Sequence, residues 1–297
     1  AYEYIKFEYL NKGKIGTYNK YKAILDKLKE YLNGKPLYFE EITVSFLKKY
    51  ENYLINTKEN ATNTIHNNLK SIRRIINSAI EDELLPYEKN PFLKYKLKLE
   101  KTEKVFLTEE ELNKLEELKL NPKSKQELHR DMFIFSAYTA GLRISDTLQL
   151  KWKHFDDTHI SVTTQKTGSI VTVKLTNKAL SVLKKYRNEN ASSEDFIFPV
   201  FKKGIDYNDP KIRHQSISTA TAYGNKDLRQ LAKKAEIGKK ISFHIARHTF
   251  ATLALKKGMR IEYVSKLLGH SSVKTTEIYA KIVNTELDKA MDVFDEI

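Results

Sequence analysis

Apolar residues recur every three or four positions along most of this chain, which is the spacing of an amphipathic α-helix. In residues 62–82 the spaced residues are Ile65, Leu69, Ile72, Ile76 and Ile80. Similar spacing over about 15–33 and 43–56 predicts two more helices. The polar side of the third helix carries Lys70, Arg73 and Arg74. We therefore expect the first part of the chain to form a small helical bundle with one basic face.

A second domain is predicted from Thr108 onward, where Thr108 and Glu111 have the spacing of a capping box. Helical periodicity returns over about 127–139, 176–188, 216–235, 242–256 and 261–268. Residues 160–175 instead alternate between apolar and polar on both sides of a glycine-containing turn, which predicts a β-hairpin. The expected fold class is mainly α: an N-terminal helical domain, then a mostly α domain with a small antiparallel β-sheet.

Residues 91–106 lack helical periodicity and are rich in lysine, including Lys94, Lys96 and Lys98. We predict an extended basic linker that could follow a phosphate backbone, and a solvated edge strand is the alternative. The expected domains are therefore residues 1–90, a linker at 91–106, and residues 107–297.

The formal net charge of +14 suits a polyanionic partner such as nucleic acid, although a solvated lysine-rich surface would give the same total. The chain contains no cysteine, which excludes disulfides, thiolate zinc sites and cysteine nucleophiles. It also has no apolar stretch long enough to cross a bilayer and no signal-peptide pattern, so we expect a cytoplasmic location.

Three short segments hold residue types that suit phosphodiester cleavage: AGLRISD at 140–146, HIARH at 244–248 and LLGHSSVKTTEIY at 267–279. Guanidinium groups bind phosphate oxygens and stay charged at any working pH. A phenol has an unperturbed pKa of about 10, so it attacks a phosphate only where cations surround it. The candidates are Arg143 and Arg247 for the phosphate, His244 on the helix face of Arg247, His270 after a helix end, and Tyr279 as nucleophile.

Three other residues complete the candidate site. Lys166 lies at the hairpin turn, where its ammonium group could protonate a departing alkoxide, and Lys174 in the same hairpin is the alternative. Asp146 follows Arg143 by three residues and is expected to orient its guanidinium group. His248 is next to Arg247, and we expect it to point elsewhere and to support the fold by packing or hydrogen bonding. Taken singly, each of these residues also has an ordinary explanation as a surface or core residue.

The order and spacing of the three segments resemble the signature blocks of tyrosine recombinases, the lambda-integrase and Xer-like group. Within that group the chain is most similar to integrases of conjugative transposons and related bacterial mobile elements. The resemblance implies that residues 1–90 are a core-binding (SAM-like) DNA-binding domain and that residues 107–297 are the catalytic domain. It also implies that Tyr279 attacks a phosphate activated by Arg143, Lys166, His244, Arg247 and His270. Asp146 departs from the pattern, since many relatives have Glu there.

The activity implied is DNA cleavage through a 3′-phosphotyrosyl intermediate and rejoining to a new strand, for integration and excision of a mobile element. The resemblance implies no metal or other cofactor. The implied partners are double-stranded DNA, a homotetramer on synapsed sites and accessory DNA-bending proteins. Alternatives are Xer-like resolution of chromosome or plasmid dimers, type IB topoisomerase-like relaxation of supercoils, and a DNA-binding regulator that has lost catalysis.

The sequence also supports one prediction about the C-terminal segment and one about the N-terminus. Residues 285–297 place Leu287, Met291, Phe294 and Ile297 on one helical stripe. Packing on its own domain is one interpretation of this segment, whereas the resemblance implies exchange with a neighbouring subunit. Relatives often carry an additional N-terminal arm-binding domain. The first residue is Ala1 rather than Met, so we expect the sequence to be part of a longer protein.

Overall fold

The computed structural model describes residues 1–280 of the chain, and these form two compact units. The first unit comprises residues 1–103 and 207–214. The second comprises residues 104–206 and the described residues from 215 onward. Within this described part, no helix is both long and apolar enough to cross a bilayer. The exchange helix predicted for residues 285–297 lies outside the described residues.

The first unit is built on three long helices, as the periodicity predicts. They are α2 (Ile15–Tyr31), α3 (Val44–Asn56) and α4 (Thr62–Glu81). A short helix, α1 (Tyr2–Ile5), and a π-helical turn (Lys6–Leu10) precede them, and the sequence pattern predicted neither. Thr43 caps α3, because its side chain accepts a hydrogen bond from the backbone N–H of Phe46 at 3.2 Å.

The core of the first unit lies where these helices meet. Leu47, Tyr50, Leu54 and Ile76 have no exposed surface. The predicted apolar stripe of α4 is buried at its first four positions, while Ile80 is partly buried against the same cluster. Burial of large aliphatic and aromatic side chains is the main stabilising contribution expected in such a helical core.

Part of the predicted linker is folded rather than extended. Pro91–Leu93 form a 3₁₀ turn, capped by Asn90 through a 3.1 Å hydrogen bond from the Phe92 N–H. Tyr95 is buried and donates a 2.7 Å hydrogen bond to a carboxylate oxygen of Glu51. Burial of an aromatic ring is favourable when its hydroxyl has a hydrogen-bond partner. The buried Tyr95 therefore attaches this segment to the first unit. The three lysines that alternate with these residues remain exposed: Lys94, Lys96 and Lys98.

The second unit contains seven helices that both begin and end within the described residues, and residues 277–280 are also helical. They are α5 (Glu109–Glu116), α6 (Lys125–Tyr138), α7 (Ile144–Leu148), α8 (Asn177–Tyr186), α9 (Pro210–Lys234), α10 (Phe243–Lys256) and α11 (Ile261–Leu267). The capping box at the start of α5 is confirmed, with hydrogen bonds in both directions between Thr108 and Glu111. Helix α9, whose first turn is assigned to the first unit, begins earlier than predicted. Asp209 accepts hydrogen bonds from the N–H groups of Lys211 and Ile212, and Pro210 suits a first helical position.

The β-hairpin is also confirmed. Strand β1 (His159–Thr163) pairs antiparallel with β2 (Ile170–Lys174), with His159 opposite Lys174 and Thr163 opposite Ile170. One face of the hairpin buries valine and isoleucine side chains while the other is exposed, as the alternation predicts. The six-residue loop between the strands contains Lys166. The fold is therefore mainly α with one small antiparallel sheet, as expected.

Candidate active site

Arg143 is placed by the turn that ends α6. The chain leaves this helix through two residues with positive φ, Ala140 at 49° and Gly141 at 63°. The N–H of Gly141 donates to the carbonyl of Ser136, five residues earlier, at 2.9 Å. This is the six-to-one hydrogen bond of a Schellman motif. A Cβ atom on Gly141 would lie 2.7 Å from the Cα of Arg247, so only glycine permits this approach. The turn leaves Arg143 half-buried beside α10.

Arg247 is anchored in the interior by backbone carbonyls. Its side chain is on α10, and the residue is only 5% exposed. Nη1 donates to the carbonyl of Gly141 at 3.2 Å, and Nη2 donates to the carbonyl of Leu268. A guanidinium group has five N–H donors, so these two bonds fix its position and leave others for a ligand. Burial, followed by the charge of Arg143, lowers the pKa of Arg247 to about 10, which still leaves it cationic at neutral pH.

His270 follows a second Schellman motif, at the end of α11. Gly269 has a φ of 64°, and the N–H of His270 donates to the carbonyl of Ser265 at 3.0 Å. The ring Nδ1 lies 2.9 Å from Oγ1 of the buried Thr276. Burial, and then the charges of the nearby arginines and Lys166, lower the pKa of His270 to about 4. The ring is therefore neutral at pH 7, and an Nδ1 that accepts the threonine hydroxyl leaves the proton on Nε2.

His244 and His248 lie one turn apart on α10, and their ring centroids are 4.5 Å apart. Burial lowers the pKa of His244, and the charges of Arg247 and Lys166 lower it further. The prediction that His248 points elsewhere is wrong, whereas the expected hydrogen bond and burial of its side chain are confirmed. Residues four apart on a helix are neighbours on one face, so His248 lies beside His244 and the site.

Tyr279 is buried near both arginines. It lies in the helical residues 277–280, is 3% exposed and packs against Ala251, Ala254, Val264 and Leu268. Its hydroxyl Oη is 2.7 Å from Nδ1 of His248. Burial raises the pKa of Tyr279, while the charges of Arg247 and Arg143 act to lower it. The phenol is therefore protonated at neutral pH in the absence of DNA.

The hairpin brings Lys166 toward the histidines. Lys166 is exposed in the loop, and its charge contributes to the lowered pKa values of His244 and His270. Lys174 is at the opposite end of β2, paired with His159. The loop therefore puts Lys166, rather than Lys174, near the other candidate residues.

Asp146 contacts the hairpin, and among the ion pairs of the described residues none joins it to Arg143. Its Oδ1 accepts a 2.9 Å hydrogen bond from the N–H of Gln165, the residue before Lys166. Among the described residues, Oδ2 has no hydrogen-bond partner. Burial raises the pKa of this carboxyl group, while the hydrogen bond and the charge of Arg143 oppose that rise. The shorter side chain of Asp thus holds the hairpin loop against α7.

The candidate DNA-contacting residues of the first unit lie on its surface. Lys70 and Arg74 are exposed on α4, whereas Arg73 is half-buried. Arg74 is 3.9 Å from the carboxylate of Glu81, a distance at which an exposed ion pair contributes little to stability. These residues stay a prediction, as do the three lysines of the folded linker segment.

Comparisons with known proteins cover both units. A family model described as the phage integrase family matches residues 105–286, and one described as the phage integrase SAM-like domain matches residues 1–97. The tyrosine recombinase XerA of Pyrococcus furiosus is 28% identical over 197 residues, which are 66% of this chain and 63% of that protein. The tyrosine recombinase XerC of Pediococcus pentosaceus is 27% identical over 244 residues, which are 81% of this chain and 78% of that protein. The chain thus spans slightly less than two thirds of the XerA relative.

A solved structure has the same fold. The XerH site-specific recombinase, in a post-cleavage complex with a palindromic difH substrate, matches with a TM-score of 0.67. The sequences are 20% identical, and the match covers 94% of this chain and 80% of that chain.

Proposed function

This chain belongs to the phage integrase family, and we propose that it is a site-specific DNA recombinase that cuts and rejoins strands through a 3′-phosphotyrosyl intermediate. One observation carries the proposal. The hydroxyl of Tyr279 is held in the interior beside two cationic guanidinium groups, one of which is fixed by carbonyls from two different turns. Apolar side chains would often stabilise the interior at least as well as these buried cations do. In the cleavage of a phosphodiester, by contrast, such cations stabilise the charge that develops on the phosphate oxygens.

In the proposed cleavage step, Oη of Tyr279 forms a bond to phosphorus as the phenol gives its proton to water. The bond from phosphorus to the 5′ oxygen breaks, and Lys166 supplies a proton to the departing oxygen. Arg143 and Arg247 balance the charge that develops on the phosphate oxygens. A 5′-hydroxyl from another strand reverses these steps, so the bond energy is kept and no nucleotide hydrolysis is needed.

The two histidines act in this step as neutral donors. The lowered pKa of His270 keeps its ring neutral, so the ring can donate from Nε2 to a phosphate oxygen without adding a buried charge. His244 is neutral for the same reasons and lies on the helix face of Arg247. The net positive charge of the site therefore comes from the arginines and Lys166.

A nicked suicide substrate tests this function, because the released fragment diffuses away and traps the covalent intermediate. We expect the protein to form a covalent adduct with DNA that carries its recombination site, in the presence of EDTA. Tyr279→Phe should form no adduct, since the attacking oxygen is gone. Tyr263→Phe is a matched control, because Tyr263 is 55% exposed in the same unit. An adduct that persists in Tyr279→Phe would overturn the assignment.

We further propose that the reaction integrates and excises a mobile element, with Xer-like dimer resolution as the alternative. Joining of two separate DNA molecules, together with excision of a circle from the native locus, would support integration. Recombination confined to directly repeated sites on one molecule would favour resolution. Relaxation of a plasmid without a recombination site would instead favour a topoisomerase-like activity.

The proposed substrate is double-stranded DNA, held by the basic residues of the first unit and by the active site. We propose a homotetramer on two synapsed sites, with accessory DNA-bending proteins, acting in the cytoplasm. We also propose that residues 285–297 dock on a neighbouring subunit. Deletion of this segment should leave binding to a single site intact and abolish synapsis and strand exchange. If the truncated protein still exchanged strands, the proposed docking would be wrong.

A further inference from the structure

His248 makes a direct contact with the candidate nucleophile that the expected set of active-site residues leaves out. Its Nδ1 is 2.7 Å from Oη of Tyr279, and the two ring centroids are 5.5 Å apart. Both residues are buried, at 8% and 3% exposure. A buried hydroxyl is costly without a partner, so this hydrogen bond determines where the phenol oxygen lies.

The direction of the hydrogen bond follows from the charge states together with the lack of another described partner for the phenol. Burial, and then the proximity of His244, Lys104 and Arg247, lower the pKa of His248 to about 4. The ring is therefore neutral at pH 7. Burial raises the pKa of Tyr279, so the phenol keeps its proton. Among the described residues this is the only hydrogen bond of Oη, so the phenol proton has an acceptor only if Nδ1 is unprotonated. We therefore assign Nδ1 as the acceptor and place the proton of the neutral ring on Nε2.

The position of His248 links this contact to the phosphate-binding groups. His248 follows Arg247 directly on α10, and the carbonyl bonds of Arg247 fix that part of the helix to the turns after α6 and α11. While the hydrogen bond to His248 is kept, Oη stays within hydrogen-bond distance of a residue that is adjacent to Arg247 on α10. A short hydrogen bond to a residue next to Arg247 on the same helix therefore sets the distance between the nucleophile and the guanidinium group.

We propose that His248 is a positioning residue for the nucleophile: its Nδ1 accepts the phenolic O–H and holds Oη of Tyr279 beside Arg143 and Arg247. This inference rests on the proposed recombinase function and adds a residue to it. The same contact serves rejoining, where the tyrosine oxygen is the leaving group and returns to the position in which His248 accepts its hydrogen bond.

Two substitutions separate positioning from packing. The Oδ1 of asparagine occupies nearly the place of a histidine Nδ1, so His248→Asn keeps an acceptor for the phenol. His248→Leu removes it. We expect His248→Leu to lower the single-turnover rate of adduct formation at saturating DNA by about 10- to 100-fold, with unchanged DNA affinity, and His248→Asn to stay within a few-fold of the unsubstituted protein. If His248→Leu cleaved at the normal rate, or if His248→Asn were equally slow, positioning would be wrong.

Thr252→Val provides a matched control for substitution in this helix. Thr252 is buried one turn after His248, and among the described residues its hydroxyl has no hydrogen-bond partner. Its isosteric replacement should leave the cleavage rate unchanged. A loss equal to that of His248→Leu would show that any change in this helix slows cleavage, and would overturn the specific role of His248.

A substrate with sulfur in place of the 5′ leaving oxygen distinguishes a defect in the nucleophile from a defect in leaving-group protonation. A thiolate leaves without protonation, so this substrate should restore cleavage by Lys166→Ala but not by His248→Leu. Recovery of His248→Leu would place its action on the leaving group and contradict the proposal.

A thermal-unfolding cycle tests the contact without DNA. Tyr279→Phe should lower the unfolding midpoint in the presence of His248, and this loss should vanish in the His248→Leu background. Equal losses in the two backgrounds would refute the hydrogen bond. If the unsubstituted protein formed no adduct, the recombinase function would fail, and the cycle would still decide the contact between His248 and Tyr279.

Discussion

The two units of the described chain bury different kinds of polar side chain. The buried polar residues of the first unit are uncharged: Asn68, Ser71, Ser78 and Asn90. Asn68 and Ser71 donate to carbonyls one turn earlier in α4, so they cost the helical core little. The second unit buries ionisable groups: His129, Arg130, Asp131, Asp146, Arg247 and His248. Buried ionisable groups are expensive, so their concentration in one unit indicates where the chain performs chemistry.

The second unit itself contains two kinds of buried arginine. Arg130 pairs with the carboxylate of Asp131 at 2.9 Å and donates to the carbonyl of Leu118 at 2.6 Å, so its charge is neutralised within the protein. The described hydrogen bonds of Arg247 go to carbonyl oxygens. Carbonyls hold a guanidinium group without cancelling its charge. Arg130 is therefore structural, whereas Arg247 keeps a full positive charge for an anionic ligand.

The largest expected effect comes from substituting these two arginines. Arg247→Ala should slow adduct formation by about a thousandfold with most DNA affinity retained, because the proposed lysine contacts with the DNA backbone remain. Arg130→Ala should instead destabilise the fold by about 3–5 kcal/mol, since it leaves Asp131 buried without its main partner. Single-turnover cleavage and chemical denaturation measure the two effects. A normal cleavage rate in Arg247→Ala would remove the distinction between the arginines.

The next largest expected difference is in the loss of folding stability when two glycines with positive φ are replaced by alanine. Gly141→Ala should destabilise the protein by about 2–5 kcal/mol, because strain adds to the collision with the backbone of Arg247. Gly34, at the end of α2, has a φ of 76° but no atom within 4 Å of the added Cβ. Gly34→Ala should therefore cost only about 1 kcal/mol. Equal losses, measured by denaturation, would show that the close approach to Arg247 is not what requires glycine at 141.

Lowering the pH should destabilise the second unit more than the first. The pKa values of His248 and His270 are lowered to about 4 in the folded protein, against an ordinary value of 6.5. As the pH falls below 6.5 the unfolded chain gains protons that the folded chain does not, so stability is lost between about pH 6.5 and 4. Hydrogen exchange at pH 7 and pH 5 should show a larger loss of protection in α10 than in α3. A uniform loss would contradict this difference.

The smallest expected effect concerns DNA binding by the first unit. Lys70→Ala and Arg73→Ala should each lower the slope of log affinity against log salt by about 0.9, the value for one phosphate contact. Lys58→Ala is the control, because Lys58 forms an ion pair with Glu30. Binding titrations at several salt concentrations measure the slopes. Unchanged slopes for Lys70 and Arg73 would move the DNA contacts to another face.

The sequence predicted the helices and the hairpin because their periodicities are local. The family was also recognisable, from residues that lie together in three segments, and the comparisons confirm it. The short helix α7 and the early start of α9 were missed, although Asp209 and Pro210 give a start signal. The partner of Asp146 was not predicted, because it depends on how a hairpin loop packs on a helix. The contact of His248 with Tyr279 joins residues 31 positions apart, and sequence spacing fixes only the helix face.

The two carbonyls that hold Arg247 make the assembly of the candidate site depend on folding. They come from residues 141 and 268, so three distant stretches of chain must meet before this guanidinium group is in place. A partly folded chain lacks this assembled arginine site. If the proposed function is correct, such a chain cannot cleave a phosphodiester, and cleavage is limited to molecules that have finished folding.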